Sequence, residues 1–159
     1  MIALTRPIVI AGVLLAAAAC AAPTVTTDVA AQPVSTPVCA EKLSPHPGTG
    51  PAKPLVPGTP AAAVVCHYSA PVPAGVVPLT KSVIVTDVNG LVAALNAADT
   101  TPPSRRTMCP MDNGTSDVVI FAYAKGDPVY VTVKPTGCAT ATNGKAVAYR
   151  LGDAVLSKL

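Results

Sequence analysis

The segment DVVIFAYAKGDPVYVTVK, residues 117–134, decides the fold of this chain. Its first part, residues 117–124, is largely apolar toward both faces, which is typical of a strand in the middle of a sheet. Residues 125–128 (KGDP) have the composition of a turn. In residues 129–134 (VYVTVK), every second residue is a valine, as in a strand with one buried face. The pattern predicts an antiparallel hairpin.

A pair of strands and one helix are predicted upstream of this hairpin. Residues 63–69 (AVVCHYS) and 82–86 (SVIVT) are short runs rich in β-forming residues. Asp87 then stands where an N-cap is needed. The helix that follows ends before Pro102 and carries an apolar stripe at the spacing i, i+3, i+4, i+7, formed by Val88, Leu91, Val92 and Leu95.

Downstream, a second hairpin and a short helix complete the chain. Asn143-Gly144 predicts a type I′ turn between strands at residues 139–142 and 145–150, and a terminal helix follows at 154–159. The order is therefore β, β, α, four antiparallel strands, α. This order predicts an α+β fold, in which an antiparallel sheet carries one main helix and a short C-terminal helix.

The N-terminus has the organisation of an export signal. Arg6 is the only positive side chain before a twelve-residue apolar run at residues 8–19. A helix of that length is about 18 Å long, well short of the roughly 30 Å hydrocarbon core, so we expect no permanent membrane span here. We assign residues 1–19 to a signal peptide.

The apolar run ends at LLAAAAC, residues 14–20, which resembles the lipobox of bacterial lipoproteins. In that motif small residues precede a cysteine that is acylated and becomes the new N-terminus; Ala17 here stands where Leu is commonest. The resemblance implies that acylated Cys20 contacts the lipid bilayer at the outer face of the cytoplasmic membrane. Cleavage after Ala19 with plain secretion is the alternative.

Cysteine parity favours the lipidated form. The chain has five cysteines, and an exported protein with an odd number leaves one thiol to explain. If Cys20 carries lipid, the other four can all pair outside the membrane. We predict Cys39–Cys66 from their proximity along the chain. We predict Cys109–Cys138 because the central hairpin brings its two flanks to one end of the sheet.

The mature chain divides into a tether and a domain. Residues 20–38 comprise the lipidated N-terminus and a Pro/Ala/Thr tether, whose residues 21–37 would span roughly 50 Å if extended. Residues 39–159 form a single α+β domain. Within it, residues 44–60 contain six prolines, which exclude a helix or a central strand. We expect a long surface loop there.

Composition excludes several functional classes. The net charge is +3, charged residues make up 12% of the chain, and there are two histidines and a single glutamate, Glu41. This chain lacks the basic surface of a nucleic-acid binder. Cys66 and His67 are adjacent and point to opposite faces of a strand, so they cannot bind one metal ion together. We expect no nucleic acid, no metal and no cofactor.

The few residues suited to chemistry have simpler structural explanations. His67 and Tyr68 with an aspartate would be the centre of a small exported hydrolase, but we favour a hydrogen-bonded histidine at a sheet edge. Residues 112–117 (DNGTSD) offer oxygen ligands for calcium, and we favour a tight turn. Arg105-Arg106 is interpreted as a solvated loop feature rather than an anion site. A binding module should expose an apolar patch, for which we expect the sheet face around Tyr130.

Taken together, the residues resemble a family of small actinobacterial lipoproteins without an assigned activity. The resemblance is carried by the signal ending in Cys20, by VCHY at 65–68, by CPMDNG at 109–114 and by GC at 137–138. It implies an exported domain anchored to the membrane and brings no activity with it. Our main interpretation is a non-enzymatic interaction or ligand-binding module.

Met108-Cys109-Pro110-Met111 resembles the reactive region of the actinomycete subtilisin-inhibitor family. Those inhibitors are exported α+β domains with two disulfides, and their P1 residue follows a Cys-Pro pair. The resemblance implies Met111 as P1 and Asp112 as P1′. An acid at P1′ followed by Asn-Gly departs from an inhibitory loop, because this sequence predicts a turn directly after Met111. Protease inhibition is therefore the first alternative function, and hydrolysis the second.

Overall fold

The computed structural model describes residues 34–46, 48, 50–73 and 75–159, and these contain a six-stranded sheet and two helices. The strands are β1 (Ala62–Tyr68), β2 (Leu79–Ile84), β3 (Ser116–Ala122), β4 (Val129–Lys134), β5 (Thr140–Thr142) and β6 (Val147–Tyr149), and the helices are α1 (Val88–Ala97) and α2 (Asp153–Leu156). The strand order is β2-β1-β3-β4-β5-β6, and every pair is antiparallel. The predicted α+β fold is confirmed. The assigned signal peptide, Cys20 and the tether up to residue 33 lie outside the described residues.

One face of the sheet is buried under α1. Asp87 caps this helix as predicted, because its Oδ1 accepts a hydrogen bond from the Gly90 backbone N–H at 2.9 Å. Leu91 and Leu95 of the predicted stripe are fully buried against the sheet, where Phe121 is the largest buried side chain. Burying one such leucine stabilises the fold by about 1.5–3 kcal/mol. The helix therefore covers this face of the sheet and contributes Leu91 and Leu95 to the main core.

The opposite face is covered by the segment of residues 39–46. The disulfide Cys39–Cys66 fixes this segment to β1, and Leu43 packs on the same face. The side chains buried there are Val64, Cys66, Tyr68, Val118 and Ile120. Strand β3 is thus enclosed on both sides, which explains why its sequence is apolar toward both faces.

The proline-rich segment of residues 44–60 is irregular, as expected. The prediction that it forms a surface loop is wrong for part of the segment. Leu55 and Val56 are buried in the main core. The Asn96 side chain of α1 accepts from the Val56 N–H at 2.9 Å and donates to the Val56 carbonyl at 2.8 Å. The Tyr123 hydroxyl donates to the Pro57 carbonyl at 2.7 Å, and burial raises the pKa of Tyr123. Side chains thus satisfy backbone groups that prolines keep out of the sheet.

The predicted type I′ turn at Asn143-Gly144 is wrong in detail. The hairpin exists, but Thr142 pairs with Val147, so the connection spans four residues. Gly144 has a positive φ of 87°, and Asn143 does not have one, whereas a type I′ turn needs both. Asn143 is instead buried, and its Oδ1 accepts from the backbone N–H groups of Lys145 and Ala146. Its amide hydrogens bind the proline-rich segment, which a two-residue turn would not allow.

Two surface ion pairs join the C-terminal residues Arg150 and Lys158 to residues that flank α1. Lys158 beside Asp87 lowers the pKa of that carboxyl, and the Gly90 N–H lowers it further. The Thr101 N–H and hydroxyl lower the pKa of Asp99, which also pairs with Arg150. Exposed pairs of this kind contribute little to stability at neutral pH.

In the described part of the chain, no helix combines the length and the apolar character that crossing a bilayer requires.

Candidate functional site

The loop between α1 and β3 is the candidate functional site. We call residues 104–114 the methionine loop; every residue in it is exposed. Met108 is 92% exposed and Met111 is 91% exposed. No two other exposed large apolar residues in the described chain lie so close in sequence. Side chains in this position contribute almost nothing to the core, so the loop presents apolar surface to solvent.

The methionine loop is held against the β4–β5 connection rather than hanging free. The disulfide Cys109–Cys138 joins the two, and the predicted pairing of both disulfides is confirmed. The Thr136 hydroxyl lies 2.8 Å from Asp112 Oδ1 and 2.9 Å from Asn113 Oδ1. Thr136 also accepts a hydrogen bond from the Asn113 N–H at 3.2 Å. The loop is therefore a constrained, exposed projection.

The predicted turn after Met111 is wrong, because the backbone of residues 110–115 has neither a turn nor a bend; the carboxylate of Asp112 makes only a local hydrogen bond there. Asp112 Oδ1 accepts from the Gly114 N–H at 2.9 Å, and this bond, with the Thr136 hydroxyl, lowers the pKa of Asp112. Gly114 has a φ of +78°, a region that favours glycine, and a Cβ there would lie 3.3 Å from the Ala70 methyl group. The side-chain oxygens of Asp112 and Asn113, which could have bound calcium, accept hydrogen bonds from the loop backbone and from Thr136 instead.

His67 and Asp117 come together, as a hydrogen-bonded histidine requires. They face each other across β1 and β3, and His67 Nδ1 lies 2.8 Å from Asp117 Oδ1. The expected position at a sheet edge is wrong, because β1 lies between β2 and β3. Tyr68 points to the opposite face, where its hydroxyl donates to the Ala40 carbonyl at 2.9 Å and burial raises its pKa. The three groups of the hydrolase hypothesis therefore do not converge.

The expected apolar patch at Tyr130 is contradicted by the structure. The ring of His46 stacks on Tyr130 with centroids 4.1 Å apart and an angle of 8° between the planes. Burial lowers the pKa of His46. The sequence could not show this, because the covering segment of residues 39–46 lies far from β4 along the chain. Tyr130 belongs to the packing of the second core.

An apolar cavity lies between α1, the proline-rich segment and the β5–β6 connection. It has a volume of about 390 Å³ and is lined by Leu55, Leu95 and Asn96, among others. The Asn96 amide is already bonded to Val56 through both of its polar atoms. A ligand site usually offers several polar groups that converge on the ligand. This cavity is therefore a weaker candidate than the methionine loop.

The methionine loop and the described part of the tether lie at opposite ends of β3. Val34 and Ser35 lie beside Ala122 and Gly126, at the end of β3 and the turn toward β4. The methionine loop leads instead into Ser116, the first residue of β3. The loop therefore lies at the end of β3 opposite to Val34 and Ser35.

The sequence indicates the exposed arginine pair of the loop, but it gives no sign of the threonine that fastens the loop. Arg105 and Arg106 are exposed, and the described residues contain no ion pair with either. Thr136, which fastens the loop, was not identified, because its partners lie 23 and 24 residues away and no local motif marks it.

Comparison of the chain with family models, with curated proteins and with solved structures finds no match in any of the three.

Proposed function

We propose that this chain is an exported lipoprotein, anchored through acylated Cys20 at the outer face of the cytoplasmic membrane. The supporting observation is the cysteine inventory. Cys39 pairs with Cys66 and Cys109 pairs with Cys138, so Cys20 is left over from the five. It lies where the lipobox-like sequence requires the acylated cysteine. Acylation would use the one thiol that has no partner for oxidation in the disulfide-forming compartment.

The domain acts as a non-enzymatic binding module that presents the methionine loop to a protein partner. Three observations support this role: the loop exposes Met108 and Met111, the disulfide at Cys109 constrains it, and it lies at the end of β3 opposite to the described tether residues. A constrained loop loses little conformational entropy when it binds. The apolar side chains would supply the buried area of the contact.

The anchor is tested by metabolic labelling with a fatty-acid analogue in producing cells. We expect label on the wild type and on Cys39→Ser/Cys66→Ser, and none on Cys20→Ala. The disulfide variant is the matched control, because it also removes cysteines. Equal labelling of the wild type and Cys20→Ala would refute the anchor.

The binding role is tested by a photo-crosslinking residue at position 111 in whole cells. Position 84 is the control, because Ile84 is 65% exposed but lies on edge strand β2. We expect a protein adduct of discrete mass from position 111 and none from position 84. Adducts from neither position, or the same adduct from both, would contradict a role for the methionine loop.

Inhibition of a subtilisin-type protease is a second candidate function, and one observation favours it. Met111 is exposed on a loop fixed by Cys109–Cys138, which is where an inhibitor would present its P1 residue. The residue at the P1′ position argues against it, because Asp112 is an acid, which departs from the inhibitory loops of that family. We therefore rank inhibition below the binding role.

A further inference from the structure

The methionine loop contains both methionines of residues 20–159. The four cysteines of residues 39–159 form disulfides, so none of their sulfur atoms is a free thiol. The chain has three methionines, and Met1 belongs to the assigned signal peptide. Met108 and Met111 are therefore the only thioethers of residues 20–159. Both are more than nine-tenths exposed.

We propose that Met108 and Met111 form a reversible oxidation site for two-electron oxidants of the peroxide class. The thioether sulfur donates an electron pair to one peroxide oxygen as the O–O bond breaks. A sulfur–oxygen bond forms, the sulfur loses two electrons, and the peroxide is reduced to one molecule of water. The product is methionine sulfoxide, which enzymes of the sulfoxide reductase class return to the thioether with electrons from thiols.

The geometry makes this oxidation compatible with the folded domain. The contacts that hold the methionine loop are the disulfide at Cys109 and the hydrogen bonds of Asp112 and Asn113 with Thr136. Neither methionine side chain takes part in them. A new sulfoxide oxygen would therefore point into water instead of into a core, where it would lack a partner. Oxidation changes the surface of the loop from apolar to polar and leaves the fold in place.

Oxidation would also change what the methionine loop can bind; this consequence, unlike the chemistry, rests on the proposed function. A sulfoxide is polar and disrupts apolar interfaces that involve methionine. The loop would then contact its partner in the reduced form and release it in the oxidised form. The oxidation itself is tested on the purified chain without any partner, so its failure and the failure of the binding role are distinguishable.

The experiment treats the purified full chain with hydrogen peroxide and follows each methionine by mass spectrometry of the tryptic peptide 107–125, after reduction of the disulfides. N-acetylmethionine amide is the reference for a fully accessible thioether. We expect both residues to gain one oxygen atom within about threefold of the reference rate, since susceptibility follows exposure. Met108→Leu and Met111→Leu should each remove one of the two additions.

The thermal midpoint is measured on the doubly oxidised chain. We expect it to stay within about 1 °C of the untreated value, because a change of that size corresponds to a small fraction of the unfolding free energy. Oxidation of either methionine more than about tenfold slower than the reference, against the exposure argument, would overturn the proposal. A clear fall of the midpoint after oxidation would overturn it as well.

Discussion

Asn143→Ala should strongly destabilise the domain. The Asn143 side chain makes four hydrogen bonds. Nδ2 donates to the carbonyls of Pro51 and Leu55, each at 3.0 Å, and Oδ1 accepts from the N–H groups of Lys145 at 3.0 Å and Ala146 at 2.8 Å. The residue is only 3% exposed, so water cannot fully replace these partners.

The size of the effect follows from these contacts. Each hydrogen bond contributes about 1 kcal/mol, and a buried group left without a partner adds to the loss, so we expect about 3–4 kcal/mol. This is a large part of the 5–15 kcal/mol by which a typical domain is stable. Urea unfolding of the purified chain, followed by circular dichroism, measures the change in the free energy of unfolding.

Asn113→Ala is the matched control. Asn113 also accepts a hydrogen bond from a backbone N–H two residues on, that of Thr115 at 3.0 Å, but it is exposed. We expect a loss of about 0.5 kcal/mol there, because water replaces the lost partner. Asn143→Asp should be at least as harmful as Asn143→Ala, since a carboxylate would face the carbonyls of Pro51 and Leu55. Equal losses for Asn143→Ala and Asn113→Ala would refute the reasoning.

Three further results are expected. Cys109→Ser/Cys138→Ser should lower the free energy of unfolding by about 3–4 kcal/mol, since the crosslink closes a loop of 29 residues; an unchanged urea midpoint would contradict this. The pKa values of Asp87, Asp99 and Asp112 are lowered by folding, so their contribution is present well above the unfolded value of 3.8 and is lost as the pH falls through and below it. The thermal midpoint of the wild type should thus be level from about pH 7 to 5 and fall below about pH 4. The fall should be less steep in the variant in which asparagine replaces all three aspartates. The domain should not inhibit subtilisin-like proteases at micromolar concentration, and Met111→Lys should not inhibit trypsin; tight stoichiometric inhibition that Met111→Gly abolishes would reverse our ranking.

Local pattern was sufficient to predict the elements around which the domain is built. The alternation in residues 129–134, the stripe containing Leu91 and Leu95, and the N-cap at Asp87 depend on neighbours within a few positions. The pairing of Cys109 with Cys138 followed from the hairpin between them. These features needed no knowledge of distant contacts, and the structure contains all of them.

Contacts between distant parts of the chain could not be predicted. Asn143 binds carbonyls 92 and 88 residues away, and no local signal distinguishes it from an ordinary turn residue. Leu55 and Val56 are buried although six prolines deprive their segment of any periodicity. His67 meets Asp117 only because β1 enters the sheet next to β3 rather than at an edge.

The candidate site also has features that local sequence shows and features that depend on distant contacts. The motif at residues 108–111 is evident from the sequence, but the turn expected from the Asp-Asn-Gly run at residues 112–114 is absent from the backbone. The exposure of both methionines and the anchoring by Thr136 depend on how the loop meets the β4–β5 connection. The expected patch at Tyr130 failed for the same reason, because His46 covers that ring.

The anchored state of the mature chain can be read from the mass of the chain isolated from producing cells. We expect a chain that is recovered with the membrane, begins at Cys20, carries covalent lipid on the Cys20 peptide and contains two disulfides. A chain recovered from the medium that begins at Cys20 without added lipid would show plain secretion. That result, or a membrane-bound chain that retains residues 1–19, would refute the lipid anchor at Cys20.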